Sequence, residues 1–129
     1  MGNYIIVMMD GSKILTQGVN LNTVATIYNQ NQTIAARIGR KSMTKHLVVA
    51  VAKEEALTKT ETQNVTIKVA DTLLYTSTES DAMLDTLTND VNKKAFALVN
   101  DEILINRSHY QYAELDENLN TENEAETQA

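Results

Sequence analysis

The alternation of apolar and polar residues predicts a β-rich chain. Residues 4–9 are apolar on both strand faces, and the Asp10-Gly11 pair that follows them favours a tight hairpin turn. A strand with two apolar faces is expected at the centre of a sheet or inside a curved barrel. Strand-like patterns recur over 23–29, 33–39, 47–52, 64–70 and 72–76. These short strands predict one mainly β domain.

One α-helix is predicted over residues 80–91. Ser80 is a suitable N-cap, and Leu84, Leu87 and Val91 recur at a spacing that places them on one helix face. We expect Leu84 and Leu87 to pack inward. No internal repeat is visible in the sequence.

The end of the chain divides into a last hairpin and an acidic tail. Apolar runs at 96–99 and 103–106 flank a polar turn. Residues 114–129 carry six acidic side chains, no basic ones and few apolar ones, so burial cannot offset the entropy that ordering would cost. We therefore expect one domain over 1–115 and a disordered tail over 116–129.

The composition argues against several classes of protein. The chain has no cysteine, which excludes disulfides, thiolate nucleophiles and cysteine-based metal sites. The apolar run at 4–9 is too short for a signal peptide or a membrane span, so we expect a cytoplasmic protein that does not enter membranes. His46 and His109 stand outside any catalytic motif. We expect no enzymatic activity, no bound metal and no cofactor.

Charge is distributed unevenly along the chain. Residues 1–53 hold six basic side chains and one acidic one, whereas residues 54–129 hold five and sixteen. Residues 40–44 are expected to form an exposed loop, and the basic stretch 37–46 around it can bind phosphates by releasing their counterions. Its alternative role is a solvated loop that keeps the protein soluble. The basic candidate side chains are Arg37, Arg40, Lys41, Lys45 and His46.

Tyrosines supply the second feature of a surface for single-stranded nucleic acid. Bases of a single strand stack on aromatic rings. Tyr28 lies beside a polar turn, and Tyr110 and Tyr112 lie near the end of the predicted domain, so we expect these three rings to be exposed. The acidic tail would then compete with the nucleic acid for the basic surface.

This layout resembles that of small bacteriophage single-stranded DNA-binding proteins, which combine a compact oligonucleotide-binding (OB) barrel, a helix between later strands and an acidic C-terminal tail. The resemblance implies an OB-like five-stranded barrel with one helix that binds single-stranded DNA as a homo-oligomer. It implies a non-enzymatic role in phage DNA replication or recombination, in the cytoplasm of the host cell, with proteins of those processes as partners. Tails of that family commonly end in an aromatic residue, whereas this chain ends in Thr127-Gln128-Ala129.

Two other functions are compatible with the sequence. A phage structural or assembly module would pair its apolar strands with neighbouring subunits and would form oligomers without regard to DNA or salt. An acidic inhibitor that mimics DNA would gather the acidic residues of the helix and the tail on one face.

Overall fold

The computed structural model describes residues 2–116. Residues 117–129, which hold all but the first residue of the predicted tail, lie outside the described part. The described part has ten strands: β1 (Asn3–Met8), β2 (Lys13–Gln17), β3 (Ala35–Ile38), β4 (Lys41–Thr44), β5 (Val48–Lys53), β6 (Val65–Val69), β7 (Thr72–Thr76), β8 (Phe96–Val99), β9 (Ile103–Asn106) and β10 (Tyr110–Leu115). Its α-helices are α1 (Leu21–Tyr28) and α2 (Ala82–Lys93), and its 3-10 helices span Lys45–Leu47, Glu54–Leu57 and Arg107–His109.

A five-stranded antiparallel sheet with the order β2-β1-β5-β9-β8 forms the centre of the molecule. Its inner strands are buried on both faces. Ile6, Val51 and Leu104 belong to the apolar core on one side of the sheet, and Val7 and Ile105 belong to the core on the other side. A strand that is covered on both faces needs continuous apolar residues, which explains why β1 and β5 lack polar alternation.

Two outer layers cover this sheet. Helix α1 and the two-stranded hairpin β3–β4 cover one face, where Tyr28, Ala36 and Ile38 pack in the core that contains Ile6. The three-stranded sheet β10-β6-β7 and helix α2 cover the other face, where Ile67 and Leu87 are buried. The molecule is therefore built in three layers.

The prediction of a mainly β chain is confirmed. In the part of the chain that the structure describes, each of the three sheets is open and none closes into a barrel, so the OB-like five-stranded barrel is not confirmed. The prediction of a single helix is wrong, because residues 21–28 form α1 instead of the predicted strand at 23–29. Asn20 caps this helix by accepting a hydrogen bond from the Thr23 backbone N–H at 3.2 Å.

Two further predictions concern the basic segment and the later helix. Residues 41–44 form strand β4, so the expectation that 40–44 is a loop is wrong. The predicted helix at 80–91 is confirmed as α2, and Ser80 Oγ accepts a hydrogen bond from the Ala82 N–H at 3.1 Å. Leu87 is buried, whereas Leu84 is only half-buried.

The fold contains an internal repeat, contrary to the expectation from the sequence. Residues 3–53, the N-terminal unit, run through a hairpin, an α-helix, a second hairpin, a 3-10 helix and a strand. Residues 65–115, the C-terminal unit, run through the same elements in the same order. The strand orders β2-β1-β5 and β7-β6-β10 also correspond. The repeat is structural, because few positions keep the same residue in both units.

Candidate nucleic-acid interface

The basic segment forms the hairpin β3–β4, here called the basic hairpin (residues 35–44). Ile38 pairs with Lys41 across the two-residue turn Gly39-Arg40. Gly39 has a φ of +61°, a left-handed conformation that glycine adopts without the penalty that a β-carbon brings. Ala36 and Ile38 are buried on the inner face of β3, so Arg37, which lies between them, points outward.

The turn of the basic hairpin packs against the end of strand β2. A β-carbon built at Gly39 would overlap the Thr16 hydroxyl and would lie 2.5 Å from the Gln17 carbonyl oxygen. The Arg40 backbone N–H is directed at Thr16 Oγ1 across 3.5 Å, at the limit of hydrogen bonding. Because Gly39 has no β-carbon, the turn of the basic hairpin can pack closely against β2 at the edge of the central sheet.

The side chains of Arg37, Arg40 and Lys41 are exposed, and no acidic side chain between residues 2 and 116 forms a salt bridge with them. In the part of the chain that the structure describes, two salt bridges occur, Lys59–Asp116 and Lys94–Asp90, and neither involves the basic hairpin. A shallow depression lies on each side of the turn. One is lined by Arg37 with the start of α1, and the other by Arg40, Lys41 and the end of β2. Within the described structure, the hairpin thus presents three cations that form no salt bridge.

Lys45 has a structural role that its sequence context did not indicate. Its Nζ atom donates hydrogen bonds to the carbonyl oxygens of Tyr28 and Gln30, each at 3.2 Å. These carbonyls lie at and just beyond the C-terminal end of α1, where a cation satisfies acceptors that the helix leaves free. His46, the next residue, is exposed in the 3-10 helix.

Tyr28 is fully buried, so the expectation that its ring is exposed is wrong. Its hydroxyl donates a hydrogen bond to the Met43 carbonyl oxygen at 2.8 Å, and its ring centroid lies 4.7 Å from that of Phe96. Burial raises the pKa of the Tyr28 hydroxyl to about 12. A ring held in the core cannot stack on a base.

The other two candidate tyrosines lie in the opposite outer layer. Both belong to β10. Tyr110 is half-buried against the core, which raises the pKa of its hydroxyl, and Tyr112 is 42% exposed. Because the central sheet separates β10 from the basic hairpin, the structure does not bring these rings together with Arg37, Arg40 and Lys41.

Neither a cluster of metal ligands nor a membrane-spanning helix occurs among the described residues. Between residues 2 and 116, no group of three or more His, Asp or Glu side chains is arranged to hold a metal ion. None of the helices described is long and apolar enough to cross a membrane. No protein-family model, curated protein or solved structure matches the chain.

Proposed function

We propose that the protein binds nucleic acid, without catalysis, through phosphate contacts at the basic hairpin. The observation that carries this proposal is that Arg37, Arg40 and Lys41 are exposed together and outside the salt bridges that the structure describes. In a chain with a formal net charge of −6, three such cations on one hairpin are an uneven placement of charge. Phosphates that bind there would release condensed counterions, which supplies a sequence-independent affinity.

Single-stranded DNA is the ligand we propose. The resemblance to phage single-stranded DNA-binding proteins favours it and favours a role in replication or recombination, although the proposal does not require an OB-like barrel. Tyr28 lies in the core and Tyr110 and Tyr112 lie in the opposite layer, so none of these three rings can stack on a base beside the hairpin. Binding should therefore depend on the phosphate backbone and show little sequence preference.

The experiment compares two double variants that remove the same charge. Arg37→Gln/Arg40→Gln removes two cations from the basic hairpin, and Lys93→Gln/Lys94→Gln removes two from the end of α2. Each phosphate contact to a single strand contributes about 0.7 to the slope of log affinity against log salt concentration. The hairpin variant should flatten the slope by about 1.4, and the α2 variant should leave it unchanged.

Circular dichroism of both variants controls for folding, because Arg37 Nε also donates a hydrogen bond to the Gly39 carbonyl oxygen at 3.0 Å. If the two folded variants weaken binding equally, net charge rather than the basic hairpin determines affinity. That result would overturn the proposal.

A further inference from the structure

The two units of the chain match in detail as well as in element order. The Lys45 N–H donates a hydrogen bond to the Ile34 carbonyl oxygen at 2.8 Å, and Arg107 N–H donates to the Ala95 carbonyl oxygen at 3.0 Å in the C-terminal unit. A second pair of bonds, from Met9 N–H to the Leu47 carbonyl oxygen and from Ala70 N–H to that of His109, also corresponds. The 3-10 helix of each unit is therefore anchored in the same way. Strands β4 and β5 correspond to β9 and β10.

One contact between the units has no counterpart within the chain. Strand β5 of the N-terminal unit pairs with β9 of the C-terminal unit, in a register that places Val51 opposite Leu104. The corresponding contact would join β10 to β4. Instead, β10 pairs with β6 and β4 pairs with β3, and the two strands lie in opposite outer layers. In the described structure, each therefore has one edge that is not joined to a strand.

We propose that these two edges bind each other between copies, so that β10 of one chain pairs antiparallel with β4 of the next. The contact repeats between chains the pairing that β5 and β9 make within one chain. Transferring the register of β5 and β9 places Ala113 opposite Ser42 of the second copy. Because the two surfaces differ, the association is head-to-tail and leaves one open edge at each end of a dimer.

The backbone hydrogen-bonding pattern of both strands fits this register. Asp116 N–H donates to the Asn64 carbonyl oxygen at 2.8 Å, so Asp116 bonds towards β6. In an antiparallel pair every second residue bonds to the partner strand, so Glu114 also bonds to β6 and the residues between point the other way. Ala113 therefore directs its N–H and C=O away from β6. The bond from Lys45 N–H to Ile34 fixes the alternation in the other strand, where Ser42 directs its polar groups away from β3. The two residues that the transferred register pairs are both free to bond outward.

The side chains that flank this pair are complementary. In the transferred register Glu114 lies opposite Lys41 of the second copy, and Tyr112 lies opposite Met43. An acidic residue and a basic one stabilise a sheet when they are direct cross-strand neighbours, and so do a ring and a flexible apolar side chain. The wider charge distribution acts in the same direction, since the N-terminal unit is basic and the region that contains β10 is acidic.

Proline variants test the contact, measured by sedimentation of the full chain at increasing concentration without nucleic acid. Ser42→Pro removes the N–H that would bond to β10, and Ala113→Pro removes the N–H that would bond to β4. The unmodified protein should form oligomers. Each variant alone should be monomeric, and an equimolar mixture should form a 1:1 dimer and nothing larger, because each chain keeps one functional edge. Ser42→Ala keeps the N–H and should associate like the unmodified protein.

A charge exchange tests the register without a backbone change. Lys41→Glu alone and Glu114→Lys alone should each weaken association by about 5- to 30-fold, which corresponds to about 1–2 kcal/mol. The double variant should restore it. A chain that remains monomeric up to its solubility limit, or a double variant as weak as the single ones, would overturn the inference. Either result leaves the proposed nucleic-acid function untouched, because no nucleic acid is present.

Discussion

Substitution of Gly39 by alanine should loosen the attachment of the basic hairpin to the central sheet. Two costs add at this position. A left-handed φ of +61° costs about 1–2 kcal/mol for a residue with a β-carbon. The new β-carbon would also meet the Thr16 hydroxyl and the Gln17 carbonyl oxygen, and crowding of this kind costs about 1–3 kcal/mol. We expect a loss of about 2–5 kcal/mol in the free energy of unfolding.

Gly18→Ala is the matched control for this substitution. Gly18 has a φ of +72°, but a β-carbon built on it would have no other atom within 4 Å. Gly18→Ala should therefore lower the free energy of unfolding only by the cost of the left-handed φ, about 1–2 kcal/mol. Urea denaturation followed by circular dichroism measures both variants. Equal losses for Gly39→Ala and Gly18→Ala would show that the turn does not press against β2 and would refute the described docking of the basic hairpin.

Two further predictions concern the core. Leu87→Ala should lower the free energy of unfolding, measured by urea denaturation, by about 2–5 kcal/mol. Leu84→Ala should lower it less, because Leu84 is half-buried. Equal losses for the two variants would show that the helix face is wrongly assigned. Tyr28 should ionise near pH 12 in a spectrophotometric titration. Because its folded pKa lies above the unfolded value of about 10, its stabilising contribution is complete below pH 10 and is lost as the pH rises towards 12. Stability that fell equally over this range in Tyr28→Phe would contradict this assignment.

The strands that lie in the central sheet were predictable because their residues have one dominant role. Residues in β1 and β5 are apolar on both faces, and only a central position buries both faces of a strand. The hairpin of β8 and β9 was predictable for the same reason, together with the polar turn between its strands.

Helix α1 was missed because its sequence suits a strand almost as well. Val24, Ile27 and Tyr28 favour β-structure, and short stretches of this kind are ambiguous. The deciding signals were Asn20 as an N-cap and the recurrence of Leu21, Val24 and Tyr28 on one face. The error about Tyr28 followed from this, because its burial depends on the direction that the helix gives it.

The basic site was predictable in composition but not in geometry. The sequence identified Arg37, Arg40 and Lys41, whereas the role of Lys45 as a partner of the α1 carbonyls depends on a contact between distant segments. The internal repeat was invisible for a similar reason. The two units share the order of their elements and several backbone hydrogen bonds. Their residues differ, so the sequence alone does not reveal the repeat.

Binding of labelled oligo-dT by the unmodified protein tests the central claim most directly, with fluorescence anisotropy measured at about 50 and 200 mM salt. In the monomeric chain, where Lys41 does not face Glu114 of a second copy, three phosphate contacts, one each at Arg37, Arg40 and Lys41, give a slope of about −2 and an affinity that falls roughly 20-fold between these concentrations. A duplex of the same length should bind with a steeper slope, because its phosphates are denser. We expect binding at the lower salt concentration that weakens in this way. Oligo-dT left free by micromolar protein at 50 mM salt, or an affinity that salt does not change, would contradict the claim.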